Sequence, residues 1–147
     1  MLCSKNILLY LCNQNRKSMI TNIAVDIYGR DVAFLVEVIP EEFDRFYYDN
    51  TIRITDEEYK GIRKDILDKK GVGGSTWWLD SGQLLVYLKD GRSDIFVPHE
   101  IFHVCNKILC AAGVNHDADA EPWAYLIGWM TNEYYRRYWD WVDNKKK

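Results

Sequence analysis

Alternation of apolar and polar residues near the beginning of the chain predicts a β-hairpin. Over 21–28, apolar side chains occupy every second position, which is the period of a strand with one buried face. The stretch 32–38 is rich in branched and aromatic residues, and Gly29 and Arg30 lie between the two stretches as a turn. Pro40 then ends the second strand, because proline cannot donate a backbone hydrogen bond to a neighbouring strand.

The next part of the chain mixes helical and strand signals. The acidic and aromatic segment 41–50 fits a short helix or a loop, and 51–54 predicts a brief strand. Thr55, followed three residues later by Glu58, has the pattern of a capping box and predicts the start of a helix. Three glycines within 71–74 end that helix in a flexible connector.

The second half of the chain predicts further strands and then two helices. The segments 76–79 and 83–88 have strand character around a turn, and 95–97 is a last short strand. A helix over 98–112 has proline in its first turn, and a polar loop leads to a long final helix over 119–141. This order predicts an α+β fold, in which a small mixed or antiparallel sheet packs on the last two helices.

Length and composition fit a single folded domain. The chain has 147 residues, of which 48% are hydrophobic and 28% charged, and this composition excludes whole-chain disorder. We assign 19–142 to the domain, 143–147 to a basic tail and 1–18 to a loosely attached leader, whose apolar stretch is too short for a secretory signal. Met19 is therefore a candidate start besides Met1.

The net charge and the cysteines limit the classes of binding partner and the cellular compartment that we expect. The formal net charge of −3 gives no support to nucleic-acid binding or a membrane-surface role, and no apolar run is long enough to cross a bilayer. Cys105 and Cys110 fall on nearly opposite faces of one helix and cannot bridge each other, while Cys3 and Cys12 lie in the leader. Free thiols in a reducing compartment, the cytoplasm, are the expectation.

The predicted helix over 98–112 carries the HExxH motif, His-Glu-Ile-Phe-His, at 99–103. Positions i and i+4 lie one turn apart on one face, so the imidazoles of His99 and His103 can bind a single Zn²⁺ from the same side. Glu100 is rotated by about 100° around the helix, which keeps it out of the ligand set but within reach of a zinc-bound water as a general base.

A catalytic zinc site takes three protein ligands and a water, so a third ligand is required. The metzincin extension is excluded, because Asn106 and Leu109 stand where it needs glycine and histidine. The downstream candidates are His116, Asp117, Asp119 and Glu121.

Glu121 is the favoured third ligand. It shares a helix face with Ala124 and Gly128, and such small residues predict a close approach of two helices that would bring its carboxylate to the metal. Because the first helix extends well beyond His103, the helices must cross steeply or the intervening loop must run back toward the site. A loop that runs back would also carry His116 near the metal, as a ligand or as a donor to the transition state.

With these residues in hand, the chain resembles the zinc-dependent HExxH peptidases of the gluzincin type, in which a glutamate on a following helix completes the site. It resembles more closely small, mostly uncharacterised phage and bacterial proteins whose second helix reads E-x-x-A-Y-L-x-G, here residues 121–128. The resemblance covers about 94–130 and implies a sheet edge beside the active-site helix, where an extended peptide could lie, with Glu100 as the base. The residues that it assigns to zinc are His99, His103 and Glu121.

The predicted function is a zinc metallopeptidase, which hydrolyses a protein or peptide in the cytoplasm (the host cytoplasm for a phage protein) by a zinc-activated water. His116 and Tyr125 are candidates to assist, although Tyr125 is more naturally a packing residue. A second hypothesis is a catalytically silent, zinc-stabilised binding protein, for example a phage protein that acts on a host factor. A third is an α+β interaction domain without metal. The aromatic C-terminal helix also offers a surface for a homo-oligomer.

Overall fold

The computed structural model describes residues 18–68, 70–71 and 73–147, and the fold is α+β, as predicted. The strands are β1 (Met19–Val25), β2 (Arg30–Val36), β3 (Gly74–Trp78) and β4 (Leu84–Leu88), and a 3₁₀ turn, Asp26–Tyr28, separates the first two. The helices are α1 (Pro40–Tyr48), α2 (Asp56–Leu67), α3 (Phe96–Ala111) and α4 (Glu121–Lys145).

The four strands form one mixed sheet in the order β1-β2-β4-β3. β2 pairs with β1 antiparallel and with β4 parallel, so that Val32 lies opposite Leu84. β3 pairs antiparallel with β4, with Trp78 opposite Leu84, and forms an edge of the sheet. The two central strands are almost continuously buried, as expected for parallel neighbours that are covered on both faces.

Helices cover both faces of this sheet. α3 and α4 pack on one face around a core cluster that includes Phe34, Val86, Ile101 and Met130. α1 and α2 pack on the other face around a second cluster that includes Leu35, Leu85, Phe46 and Ile62. Consecutive residues of β2 and β4 therefore enter different cores, because successive side chains of a strand point to opposite faces.

Several local predictions are confirmed. The β1–β2 hairpin turns through Gly29, whose positive φ of 60° is a conformation that glycine adopts without a steric penalty. α2 begins with the capping box: the Glu58 backbone N–H donates to Thr55 Oγ1 at 3.2 Å, and the Thr55 N–H donates to Glu58 Oε2 at 2.9 Å. The undecided segment 41–50 is mostly helical, and this helix begins at Pro40.

The predicted strand over 51–54 is wrong. Ile52 and Ile54 are buried in the cluster beneath α1 and α2, but their backbone pairs with no strand in the described part of the chain. The alternation arises because Ile52 and Ile54, which lie on an irregular segment, both bury their side chains in this core.

The predicted strand over 95–97 is also wrong, because these residues lead into and begin α3. The Ser93 hydroxyl accepts hydrogen bonds from the backbone N–H groups of Ile95, at 3.3 Å, and Phe96, at 3.0 Å. Ser93 thus satisfies N–H groups that have no partner within the helix. These hydrogen bonds hold the turn that leads into α3, and they outweigh the preference of the three apolar residues for a strand.

The two cysteines of α3 behave as predicted. Cys105 is buried and Cys110 is exposed, and both are free. Burial raises the pKa of the Cys105 thiol to about 12, so this sulfur stays protonated and unreactive. Cys3 and Cys12 lie outside the described residues, as does the predicted leader apart from Ser18.

The last helix is longer than predicted. α4 continues past 141 to Lys145, whose ammonium lies 3.4 Å from the centroid of the Trp141 ring in a cation–π contact. Among the described helices, none combines the length and the apolar character that a bilayer crossing requires.

Candidate metal centre

α3 is anchored on the sheet by one apolar stripe and presents the opposite face to solvent. Val97, Ile101, Val104 and Ile108 recur at helical spacing and are fully buried. The helix ends where Gly113 adopts a φ of +77°: its N–H donates to the Cys110 carbonyl, and the N–H of the next residue donates to the Leu109 carbonyl. The ends and the rotation of the helix are therefore fixed, and with them the direction of each motif side chain.

The imidazoles of the motif converge at the surface of α3. His99 is 60% exposed, His103 is half-buried, and their Nε2 atoms lie 3.0 Å apart. Two nitrogen ligands of a tetrahedral zinc ion, each about 2.1 Å from it, are about 3.4 Å apart. The pair therefore fits a single zinc ion with a small adjustment of either ring.

Glu100 lies beneath this pair and is buried. One of its oxygens, Oε2, accepts a hydrogen bond of 2.6 Å from the Thr76 hydroxyl on β3. The other, Oε1, is 3.9 Å from His99 Nε2. No lysine or arginine pairs with this carboxylate among the described residues. One oxygen is thus held by the edge strand while the other lies near His99.

Glycines allow α3 to lie close against the edge strand. A Cβ on Gly74 would stand 2.8 Å from Glu100 Cγ and 3.1 Å from the Tyr87 carbonyl oxygen, and a Cβ on Gly73 would stand 2.3 Å from the Phe96 ring. The prediction that these glycines form a flexible connector is therefore wrong for Gly73 and Gly74. Their missing side chains make room for the motif helix and its carboxylate.

Glu121 is the first residue of α4 and is exposed. The predicted close approach along its face is wrong: Ala124 and Gly128 are also exposed, and a Cβ on Gly128 would meet no atom within 4 Å. The core-facing side of α4 is instead formed by Trp123, Leu126, Met130 and Tyr134. These large side chains turn the small residues, and Glu121 with them, toward solvent.

The course of α4 explains this arrangement. The Tyr134 hydroxyl donates to the Gly91 carbonyl, just before α3 begins, and the His116 ring, just after α3 ends, packs edge-on against Trp123 at 5.1 Å. α4 therefore runs back along α3, and its first turn lies near the far end of that helix.

The remaining predicted residues stand apart from the pair. His116 is exposed: its ring packs against Trp123, and its Nδ1 lies 3.9 Å from Asp117 Oδ1. Tyr125 is 78% exposed, and no hydrogen bond or ring contact joins it to the histidines within the described chain. Over the described residues, no group of three or more His, Cys, Asp and Glu side chains is arranged to hold a metal ion.

Sequence reasoning missed Thr76, the partner of Glu100. The available signal was strand alternation, since Thr76 shares its face of β3 with Gly74 and Trp78. A hydroxyl between two residues on the core-facing side of an edge strand needs a buried polar partner, and Glu100 is the buried acid of the motif helix. What the sequence could not show is which helix lies against that strand.

The arrangement can hold a metal through two imidazoles beside a buried carboxylate that has one oxygen available. No family model, curated protein or solved structure was found to match this chain.

Proposed function

We propose that this protein is a zinc-dependent hydrolase of peptide bonds. The observation that carries the proposal is the convergence of His99 and His103 Nε2 atoms, 3.0 Å apart, above a buried glutamate with one free oxygen. Structural polar groups are normally saturated by partners, whereas a site for chemistry keeps an acceptor available. Burial of the Glu100 carboxylate without a cation among the described residues is costly, and a chemical use would explain why the chain keeps it there.

Each residue has a distinct task in this reaction. His99 and His103 hold the zinc ion, which when bound supplies Lewis acidity to the carbonyl group and lowers the pKa of water. Glu100 accepts a proton from the attacking water at Oε1 and returns it to the leaving amine. The Thr76 hydroxyl holds Oε2, so that the carboxylate keeps its orientation through both transfers.

The edge strand supports a peptide as the substrate. β3 pairs with β4 on one side only, so its outer backbone groups have no strand partner in the described sheet. An extended peptide can satisfy such groups by adding as a further strand. Because β3 also carries Thr76, a peptide there lies alongside the residue that holds Glu100. We place the activity in the cytoplasm, since the described cysteines are free.

The test combines zinc content with peptide hydrolysis. We expect close to one zinc per chain in protein kept dilute with zinc in excess, and cleavage of a fluorogenic peptide library. His99→Ala and His103→Ala should lose both zinc binding and peptide hydrolysis. His116→Ala, which removes the third histidine of the sequence, should still bind zinc. Glu121→Ala tests the predicted third ligand: unchanged zinc affinity removes Glu121 from the set. A parent chain without zinc after reconstitution rejects the proposal.

A second function has its own supporting observation. Phe102, Tyr125 and Trp129 are large apolar side chains that are 49%, 78% and 41% exposed on α3 and α4. Such rings are typical of a protein-binding surface, and a zinc-stabilised binding protein would use them without catalysis. Zinc binding without hydrolysis of any peptide in the library favours this second function.

A further inference from the structure

The histidine pair provides two ligands, whereas zinc in proteins is almost always bound by four groups. Within the described chain no third His, Cys, Asp or Glu joins His99 and His103, and the imidazoles lie at the surface, where another molecule can reach them. Two ligands one turn apart on an exposed helix form half of a tetrahedral site. A second identical pair would supply the other half.

The surroundings of the pair are apolar and exposed. Ile95, Phe96 and Phe102 lie four residues before, three before and three after His99, and their exposures are 73%, 40% and 49%. Exposed apolar side chains gathered at the start of a helix and on its first turns, around a polar centre, are typical of an interface. A symmetric contact brings the same patch of both copies together, so the histidine pairs meet at the twofold axis.

We propose that two copies of this chain share one zinc ion through His99 and His103 of each, which gives a closed site of four imidazoles. The inference rests on zinc binding by the same pair as in the proposed function. In this form both remaining coordination positions are filled by protein, so no position is left for water and hydrolysis stops. The ratio of protein to zinc then selects between an open, active chain and a closed, inactive dimer.

The experiment is a zinc titration of the metal-free full chain, followed by sedimentation velocity and by metal analysis of each species. At half an equivalent of zinc we expect the mass to double from 17.4 kDa, with one zinc per two chains. Excess zinc should return the protein to monomers with one zinc each, and a chelator should dissociate the dimer. His99→Ala and His103→Ala should remain monomers at every ratio.

Controls keep the outcomes distinct. His116→Ala is the matched histidine control and should dimerise like the parent, and circular dichroism verifies that each variant is folded. Phe102→Ser should raise the protein concentration needed for dimers while leaving zinc binding by the monomer unchanged. A chain that stays monomeric at half an equivalent of zinc, yet binds one zinc when the metal is in excess, overturns the dimer but not the proposed function. A dimer that forms without zinc, or that survives loss of both histidines, also overturns it. A chain that never binds zinc overturns both proposals.

Discussion

Two carboxylates on opposite faces of the sheet are treated in opposite ways. Asp44, on the α1–α2 face, accepts hydrogen bonds from Arg63 Nε at 2.8 Å, from a second Arg63 nitrogen at 3.1 Å and from the Tyr59 hydroxyl at 2.6 Å. Glu100, on the α3–α4 face, is more deeply buried, and within the described part of the chain its carboxylate accepts one hydrogen bond, from Thr76. The more deeply buried carboxylate thus accepts fewer hydrogen bonds from the described residues.

The difference distinguishes a carboxylate that joins two helices from the carboxylate to which we assign a chemical role. The hydrogen bonds and the charge of Arg63 hold the pKa of Asp44 below its ordinary value and the pKa of the guanidinium above its own. This ion pair joins α1 to α2, and both side chains are engaged in it. Glu100 joins α3 to β3 with one oxygen and leaves the other 3.9 Å from His99 Nε2, which is the arrangement that the proposed activity would require at the expense of stability.

The largest effect is expected from Glu100→Gln. The amide keeps the shape and can still accept from Thr76, but it cannot take a proton from water, so hydrolysis should fall by about 10²- to 10⁴-fold. Zinc content should not change, and the melting temperature should stay equal or rise, because the substitution removes a buried charge that has no cationic partner among the described residues. Rates on the fluorogenic library and thermal melting measure both. A variant that remains active makes Glu100 a structural acid like Asp44.

Gly74→Ala should disturb both the fold and the site. The added Cβ would stand 2.8 Å from Glu100 Cγ and 3.1 Å from a backbone oxygen that cannot move aside easily. We expect a loss of about 1–3 kcal/mol in the free energy of unfolding, measured in urea, with a fall in activity as Glu100 is displaced. Unchanged stability would mean that α3 does not lie as close to β3 as described.

Asp44→Asn should weaken the fold and spare the site. Because Arg63 and Asp44 are both partly exposed, we expect a loss of about 1–2 kcal/mol in the free energy of unfolding, with unchanged zinc binding. The lowered pKa of Asp44 sets the pH dependence: its contribution is complete above the pKa of an unfolded aspartate and is lost as the pH falls through the lowered value. Denaturation curves of parent and variant should therefore converge in acid.

The features of these two faces that the sequence predicted are those in which the interacting residues are close together along the chain. The capping box at Thr55 and the glycine stop of α3 are local, because the atoms that satisfy one another lie within a few residues. HExxH is equally local, and helical spacing alone brings His99 and His103 together. Thr76 could not be assigned to Glu100, since 24 residues and a change from strand to helix separate them.

The predicted close approach of the Glu121 face shows where local reasoning failed. Helical spacing places Glu121, Ala124 and Gly128 on one face, and the small size of Ala124 and Gly128 predicted a close contact with another helix. The opposite face of α4 carries larger apolar side chains, and the hydrophobic effect buries those first. Small residues permit a close approach of two helices, but the face of a helix that buries the most apolar surface is the one that packs against the core.

Gly128→Ala is the smallest change and tests this interpretation directly. A Cβ at Gly128 meets open space inside a long helix, so alanine should stabilise the protein by about 0.5–1 kcal/mol through its greater helix propensity. Zinc affinity should not change, since the added methyl group points to solvent. If the variant instead loses stability or zinc, this face is in contact with α3 in solution. The predicted close approach of this face would then hold, and Glu121 would be the favoured third ligand.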